Sequence, residues 1–175
     1  MSGASSHLLI LGGARSGKSR YAQVRAEALT GELVYLATAQ AFDQEMGERI
    51  ALHRADRGTR WSTVEAPLEL AETITACSTL GTVVLVDCLT LWASNLILAE
   101  RDTDAATEGL VRAVSRARGP VILVANEVGL GIVPDNALAR KFRDAAGRIN
   151  QEMAAAVDEV VMTFAGLPLV LKPKG

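Results

Sequence analysis

Aromatic residues and surplus charge are both scarce in this sequence, and each shortage excludes a class of function. Aromatic side chains make up only 4% of the 175 residues, which is too few for a surface that stacks the bases of a single-stranded nucleic acid. The 18 basic and 20 acidic residues leave a net charge of −2, so the basic surplus of a protein that binds a phosphate backbone is absent. We therefore expect a small-molecule substrate and no nucleic-acid partner.

Long apolar runs and paired cysteines are also missing. No apolar run approaches the ~20 residues that a membrane span needs, and no basic region precedes an apolar core at the N-terminus, so we expect neither a membrane span nor a signal peptide. Cys77 and Cys88 lack Cys-x-x-Cys spacing, which favours two reduced thiols used as small apolar residues. Together these absences predict a cytoplasmic protein.

The sequence does contain the alternating pattern of an α/β protein. Hydrophobic residues make up 49% of the chain, and short β-rich runs alternate with segments of helical length, which predicts a mostly parallel sheet with helices on both faces in a single domain, residues 1–175. The predicted strands are residues 7–11, 33–38, 61–65, 83–87, 121–125 and 159–164, followed by a turn at Gly166-Leu167-Pro168 and an antiparallel edge strand at 169–172. The predicted helices are residues 18–30, 43–57, 67–78, 89–99, 104–117 and 137–157.

A phosphate-binding pattern, G-x-x-x-x-G-K-[ST], follows the first predicted strand. Its residues are Gly12, Gly13, Ala14, Arg15, Ser16, Gly17, Lys18 and Ser19. The glycines allow a tight turn whose amides point at an anion, and the N-terminus of the next helix reinforces that attraction. Lys18 can reach the β- and γ-phosphates, and the Ser19 hydroxyl can ligate Mg²⁺. The pattern predicts an ATP or GTP site of the P-loop NTPase type, with Lys18 as a catalytic residue.

An aspartate closes the most apolar of the predicted strands. Asp87 directly follows the run Val83-Val84-Leu85-Val86, which is the arrangement of an acid that holds Mg²⁺ directly or through water. The alternative is that Asp87 caps the next helix. A GTPase that reads guanine usually carries Asn-Lys-x-Asp after a later strand, and this chain has Asn126-Glu127-Val128-Gly129 there. The sequence therefore excludes a Ras-type switch.

Two histidines occur in the sequence, and they lie in different surroundings. His7 begins the predicted first strand, where we expect a structural role. His53 lies on one face of the predicted helix 43–57 with Glu45, Arg49 and Arg57, at spacings of four residues. Cationic neighbours favour the neutral imidazole that a nucleophile needs, and they attract phosphate. Spacing alone favours a solvated polar face over a functional role for this stripe.

Taken together, these residues resemble the bifunctional adenosylcobinamide kinase / adenosylcobinamide-phosphate guanylyltransferase family, and the similarity runs nearly from end to end. Besides the phosphate loop, it covers Tyr35-Leu36-Ala37-Thr38-Ala39, Arg49-Ile50, His53-Arg54, Trp61, Thr63-Val64-Glu65, Asp87-Cys88-Leu89-Thr90, the run Asn126-Glu127-Val128-Gly129-Leu130-Gly131-Ile132-Val133-Pro134, Arg140, Phe142-Arg143 and Gly147-Arg148-Ile149-Asn150-Gln151. The run that begins at Asn126 is the most specific of these signatures. One departure is Gly58, where the family commonly has proline.

The resemblance implies two reactions. The enzyme would phosphorylate adenosylcobinamide with ATP or GTP, then transfer GMP from GTP to the new phosphate, which yields adenosylcobinamide-GDP and pyrophosphate. It also implies a RecA-like fold, a homotrimer and His53 as the residue that carries GMP covalently, whereas Mg²⁺ as cofactor is predicted by the Ser19 and Asp87 motifs themselves. The nucleotide contacts that the family pattern adds to the phosphate loop are Ala37, Thr38, Ala39, Arg54, Ala55, Asp56, Arg57, Glu65 and Asp87.

Two other readings of the same residues stay open at the level of sequence. The first is a P-loop kinase for a small molecule that lacks nucleotidyl transfer, although such a kinase has no need of His53 among arginines. The second is a regulatory protein that binds nucleotide without chemistry. It would need a partner surface, and the sequence has neither a long amphipathic extension nor a block of like charge to supply one.

Overall fold

A mostly parallel seven-stranded sheet organises the residues that the computed structural model describes, 6–39 and 59–175. In chain order the strands are β1 (Leu8–Gly12), β2 (Glu32–Ala37), β3 (Trp61–Glu65), β4 (Thr82–Asp87), β5 (Val121–Asn126), β6 (Glu159–Phe164) and β7 (Leu167–Lys172). Their order across the sheet is β3-β2-β4-β5-β1-β6-β7. Strands β1 to β6 pair in parallel, and β7 pairs antiparallel with β6. The predicted architecture is confirmed.

Helices cover both faces of this sheet. In chain order they are α1 (Lys18–Glu27), α2 (Leu70–Cys77), α3 (Leu89–Leu98), α4 (Thr103–Ser115) and α5 (Ala137–Ala156). On one face, α1 packs Ala22 and Ala26 against an apolar layer that includes Ile10. On the other face, α2 to α5 pack against a layer that includes Leu9 and Leu11. Because successive strand residues point to opposite faces, central strands covered on both faces need consecutive apolar residues, as the sequence has.

The end of the sheet differs from the prediction in one respect. The antiparallel strand begins at Leu167 rather than 169, because the chain reverses at Ala165 and Gly166, whose φ angles are 50° and 80°. Positive φ at both residues gives a tight turn whose twist suits a β-hairpin. Pro168 lies inside β7 rather than in the turn, and an edge strand tolerates proline since its outer side needs no N–H donor.

Several other predictions concern helix ends and cysteines. The predicted helices 18–30 and 67–78 are shorter, at Lys18–Glu27 and Leu70–Cys77. The predicted helix 43–57 lies outside the described residues. Cys77 and Cys88 are both free, as expected. Within residues 6–39 and 59–175, no helix combines the length and the apolar character required to cross a membrane.

The parallel strands all end at the same edge of the sheet, and this edge positions the site. The last residues of the parallel strands are Gly12, Ala37, Glu65, Asp87, Asn126 and Phe164. In open α/β sheets, ligands bind beyond these carboxyl ends. The phosphate loop leaves β1 at this edge, so the predicted nucleotide site and the end of β4 lie on the same side of the molecule.

Candidate active site

The phosphate loop turns directly from β1 into α1. Gly17 is the N-cap of α1 with φ 92°, a left-handed conformation that glycine adopts without a steric penalty. No side chain caps this helix end, and no acidic residue lies in its first turn. The first amides of α1, with the positive end of the helix dipole, therefore face outward without a competing carboxylate, which is the arrangement that binds a phosphate.

The loop is held against β6 by two hydroxyl groups. A Cβ at Gly12 would lie 2.3 Å from the Ser16 hydroxyl and 2.4 Å from the Thr163 hydroxyl, so only glycine fits there. These two buried hydroxyls are 2.8 Å apart and share a hydrogen bond, and the amide of Gly166 donates to the Ser16 carbonyl at 2.9 Å. Ser16 therefore fixes the shape of the loop.

The Lys18 side chain folds back over the loop. Its ammonium group donates a hydrogen bond to the Gly13 carbonyl at 3.0 Å. An ammonium group has three donors, so this contact leaves two that can reach phosphoryl oxygens. The positive charge thus lies at the loop, where the sequence pattern predicts the β- and γ-phosphates.

Asp87 lies on the same face of the sheet as α1. Val83 and Leu85 of β4 belong to the apolar layer under α1, and alternation along the strand places Asp87 on that face as well. The N-cap of α3 is Cys88, and no side chain caps this helix, so Asp87 does not serve as its cap. Ser19, the other predicted Mg²⁺ ligand, is the second residue of α1 and so lies in the first turn of that helix.

These two residues suit Mg²⁺ better than a softer metal. A hydroxyl and a carboxylate are hard oxygen ligands, and Mg²⁺ is usually bound by one or two carboxylates together with substrate phosphates and water. In the part of the chain that the structure describes, no group of three histidine, cysteine or acidic side chains could form a cage of protein ligands. Ser19 and Asp87 therefore fit a metal that is shared with the nucleotide.

Thr38 connects the end of β2 to the residues after β4. Its fully buried hydroxyl donates to the Cys88 carbonyl at 2.7 Å and accepts from the Cys88 amide at 2.8 Å. The Thr38 amide donates to the Asp87 carbonyl at 3.4 Å, and its carbonyl accepts from the Asn95 side chain at 2.8 Å. The Asp87–Cys88 peptide bond is cis. Thr38 thereby holds the peptide that carries Asp87.

The other predicted nucleotide contacts lie in one row across the sheet. Ala37 is aligned with Glu65 on β3 and with Asp87 on β4, and Ala39 follows shortly after β2. This row extends from Asp87 on β4, across β2, to Glu65 on β3, which is the outermost strand on that side of the sheet. His53, Arg54, Ala55, Asp56 and Arg57 lie outside the described residues, so their assignments stay predictions.

Two other side chains of nucleophilic type, Cys88 and His7, belong to the sheet region, and neither is suited to react at this site. Burial raises the pKa of the Cys88 thiol to about 11, so it stays protonated at neutral pH and is a poor nucleophile. The imidazole of His7 is buried at the opposite ends of the strands, where its Nδ1 accepts a hydrogen bond from the Val121 amide at 3.3 Å. His7 thus has the structural position expected from the sequence.

Asn126 also lies at this edge, although no sequence motif assigned it a role. It is the last residue of β5, its amide donates to the Thr90 hydroxyl at 2.6 Å, and its carbonyl accepts from the Asn150 side chain at 3.2 Å. A polar residue that closes an apolar strand was the signal that identified Asp87. The same signal is present at Asn126.

A phosphate loop between a strand and a helix, with an aspartate on the same sheet face, defines a P-loop NTPase fold, and solved structures agree. The assembled ATPase EscN of the enteropathogenic Escherichia coli type III secretion system superposes with a TM-score of 0.57 at 15% identity, over 92% of this chain and 43% of that chain. A protein from Pyrococcus horikoshii OT3 superposes with a TM-score of 0.56 at 10% identity, over 97% of this chain and 87% of that chain. At these identities the likeness concerns the fold alone.

Sequence comparison narrows this class to one family. Residues 8–171 match the family model of cobinamide kinase / cobinamide phosphate guanyltransferase. The bifunctional adenosylcobalamin biosynthesis protein CobP of Pseudomonas aeruginosa is 50% identical over 167 residues, which cover 94% of this chain and 96% of that protein. The CobU protein of Salmonella typhimurium, described in the same words, is 42% identical over 94% of this chain and 99% of its own. The chain belongs to the cobinamide kinase / cobinamide phosphate guanyltransferase family and is a transferase.

Proposed function

We propose that this enzyme acts twice on one corrinoid. It phosphorylates the aminopropanol hydroxyl of adenosylcobinamide with ATP or GTP, and it then transfers GMP from GTP to that phosphate, which releases pyrophosphate. The observation that carries the proposal is a complete phosphate loop, with Lys18 folded over it, in a chain that matches the family over residues 8–171. Further parts of the proposal are a single domain, a cytoplasmic location and a homotrimer.

The first reaction requires positioning and charge neutralisation more than covalent chemistry. The γ-phosphoryl group passes directly to a hydroxyl, so the enzyme must align the two and balance the negative charge of the transition state. Lys18 and the N-terminal amides of α1 supply fixed positive charge at the phosphates. Ser19 and Asp87 would hold Mg²⁺, which when bound neutralises charge on the β- and γ-phosphates.

The second reaction joins two anions, and that favours a covalent route. A phosphate monoester and a nucleoside triphosphate repel each other, whereas an imidazole nucleophile is uncharged and divides the transfer into two easier displacements. We assign this nucleophile to His53. Its nitrogen would form a bond to the α-phosphorus of GTP as pyrophosphate leaves, and the corrinoid phosphate would then displace the imidazole.

Product analysis tests the reaction pair. The enzyme is incubated with adenosylcobinamide and ATP, GTP is added in a second step, and the products are identified by mass spectrometry. We expect adenosylcobinamide phosphate after the first step and adenosylcobinamide-GDP after the second. If adenosylcobinamide phosphate is still the product after GTP is added, the enzyme is a kinase only. If the corrinoid is unchanged after both steps, both assignments are refuted.

Labelled GTP tests the covalent route. GTP labelled at the α-phosphate should leave label on the denatured chain before any corrinoid is added, whereas GTP labelled at the γ-phosphate should not. A phosphoramidate on imidazole is labile in acid and survives alkali, which separates it from a serine ester. His53→Asn should abolish the label, because an amide is not a comparable nucleophile, while phosphorylation of adenosylcobinamide persists. Unchanged labelling in that variant would refute the assignment of His53.

A further inference from the structure

Within the described residues, one buried side-chain atom has no hydrogen-bond partner, and it lies at the carboxyl edge of the sheet. That atom is Oδ1 of Asn126. Buried polar atoms in folded proteins are nearly always hydrogen-bonded, and leaving one unpaired is costly. An unpaired acceptor at the binding edge of the sheet can be satisfied by a donor that a ligand brings.

The position of Asn126 within the sheet shows which part of the site its side chain faces. Strand β5 lies between β4, which ends at Asp87, and β1, which leads into the phosphate loop. Ile122 and Val124 of β5 belong to the apolar layer under α1, so alternation places the Asn126 side chain on that face too. Asn126 is aligned with Gly12, and Asp87 is aligned with Val124. Its side chain therefore lies between the metal-side acid and the phosphate loop.

The backbone around Asn126 is firmly tied, so the side chain has a defined location. The Asn126 amide donates to the Thr90 hydroxyl at 2.6 Å, and its carbonyl accepts from Asn150 at 3.2 Å. The next amide, of Glu127, donates to the Gly12 carbonyl at 3.1 Å, which ties β5 to the first residue of the phosphate loop. A group fixed in this way is preorganised to contact a nucleotide bound in the loop.

The chemistry of an amide oxygen restricts its partner. It accepts hydrogen bonds and donates none, so phosphoryl oxygens, which are also acceptors, cannot pair with it. The O–H donors at the reacting end of a triphosphate are the acceptor hydroxyl and metal-bound water. We propose that Asn126 is a further active-site residue whose Oδ1 accepts a hydrogen bond from such an O–H group. This inference rests on the proposed kinase reaction.

Two substitutions separate this role from a structural one. Asn126→Leu keeps roughly the size of the side chain and removes its polar atoms, and Asn126→Ala removes the side chain beyond Cβ. Because Oδ1 has no partner in the fold, neither variant loses a hydrogen bond of that atom. We expect the thermal midpoint of the nucleotide-free Asn126→Leu protein to equal or exceed that of the wild type. The kinase kcat/KM should fall about 10- to 100-fold in both variants, because the buried O–H donor is then left without its acceptor.

Two measurements then identify which O–H group is bound. The first is the dissociation constant of a non-hydrolysable GTP analogue, determined by calorimetry with and without Mg²⁺. If the partner is metal-bound water, the gain in affinity that Mg²⁺ provides should shrink in the variants. The second is the separation of KM for adenosylcobinamide from kcat. If the partner is the acceptor hydroxyl, binding of the analogue is unchanged, and the loss lies in the kinase parameters alone.

Asn95 provides the matched control, because both N–H donors of its side-chain amide are used in the fold. It donates to the carbonyls of Thr38 and Pro67 at 2.8 and 2.9 Å, so Asn95→Leu should lower the thermal midpoint clearly. An Asn126→Leu protein destabilised to the same degree would show a structural role and overturn the proposal. So would wild-type kinetics and metal-dependent binding within about twofold in both variants. If the wild-type enzyme has no kinase activity, the proposed function is refuted. The ratio of kcat/KM between variant and wild type does not test that function, because it concerns only the role of Asn126.

Discussion

At the scale of single residues, the polar groups of the site divide into those that the fold uses and those that it leaves available. The hydroxyls of Thr38 and Ser16 are consumed by hydrogen bonds within the chain. The Lys18 ammonium keeps two donors beyond its contact with Gly13. Sequence patterns predicted Lys18 and Asp87 as residues of the nucleotide site, because each belongs to a short motif. They could not predict what Thr38 does, since its partner Cys88 is 50 residues away.

Thr38→Val tests whether this threonine positions the Asp87–Cys88 peptide. Valine has nearly the same shape but leaves the buried Cys88 amide without its acceptor, whereas the Cys88 carbonyl keeps a hydrogen bond from the Trp92 amide. The unpaired amide should cost about 1–3 kcal/mol of unfolding free energy. Urea denaturation measures this change. Thr75→Val is the control, because the exposed Thr75 hydroxyl bonds only within α2 and its loss should cost about 0.5 kcal/mol or less. Unchanged stability with lost nucleotide affinity would mean that the Thr38 hydroxyl contacts the nucleotide instead.

Lys18→Ala tests whether one phosphate loop serves both reactions. The substitution removes a charge-assisted contact worth roughly 2–4 kcal/mol in the transition state. Kinase and guanylyltransferase rates should therefore fall together, by about two orders of magnitude or more, as measured by product formation in separate assays. Lys174→Ala makes the same chemical change at an exposed position near the C-terminus and should leave both rates unchanged. If only one of the two rates falls in Lys18→Ala, each reaction has its own nucleotide site.

At the scale of elements, the loop from 127 to 135 is anchored at both ends and exposed between them. The Glu127 amide bonds to Gly12, and the Arg140 guanidinium donates to the carbonyls of Pro134 and Asp135 at 2.9 and 2.8 Å. The Asn136 side chain caps α5. Between these anchors the apolar side chains are largely exposed: Leu130, Ile132 and Val133. Such a loop can change its packing when a ligand binds, without unfolding the elements that it joins.

We expect this loop to form part of the active-site wall. Amide hydrogen exchange is compared between the free enzyme and the enzyme with corrinoid and nucleotide together. The amides between Gly129 and Val133 should gain protection, because ligand contact removes them from solvent. The loop between α4 and β5 provides the internal control, because it lies at the amino ends of the strands, away from the site. Its amides should exchange at the same rate in both states. An absence of added protection in the 127–135 loop would contradict this role.

The accuracy of the strand predictions follows from burial. The predicted ranges of β4 and β5 match to within one residue because both strands are covered on both faces and read as continuous apolar runs. The start of β7 was placed two residues too late because its residues are almost all exposed. An edge strand with exposed apolar residues carries no alternation that marks where it begins. The turn at Ala165 also lacks the asparagine or aspartate that usually signals such a hairpin.

At the scale of the whole molecule, the sequence could predict the class of the sheet but not its strand order. Apolar runs show that strands are buried, and they do not show which strands are neighbours. The placement of β5 between β4 and β1 brings Asn126 between Asp87 and the phosphate loop. Half of that placement is the pairing of β5 with β1, which joins residues more than a hundred positions apart, such as Gly12 with Asn126. Tertiary packing decides such pairings, and short motifs do not encode them.

Two titratable groups link the stability of the whole fold to pH, in separate ranges. Burial lowers the pKa of His7 below its ordinary value of 6.5, although the nearby Asp158 opposes the shift. A hydrogen bond from Arg25 lowers the pKa of Glu159 below 4.5, although burial opposes that shift. The contribution of Glu159 is present at neutral pH and is lost only as the pH falls below 4.5. Loss of stability between pH 7.5 and 5.5 therefore reports on histidine rather than on Glu159.

We expect His7 to make the fold less stable as the pH falls through 6.5. The unfolded chain binds a proton near 6.5, whereas the folded chain binds it only at lower pH, so the neutral imidazole stabilises the fold above 6.5 and this stability is lost toward the lowered pKa. Protonation would also place an N–H on Nδ1, opposite the Val121 amide that now donates to it. Urea denaturation at pH 7.5 and 5.5 measures the loss, which cannot exceed ~1.4 kcal/mol per pH unit for one group. His7→Asn supplies an oxygen in place of Nδ1 and does not titrate, so its stability should change less between the two pH values. An equal change in the variant and the wild type would exclude His7 as the cause.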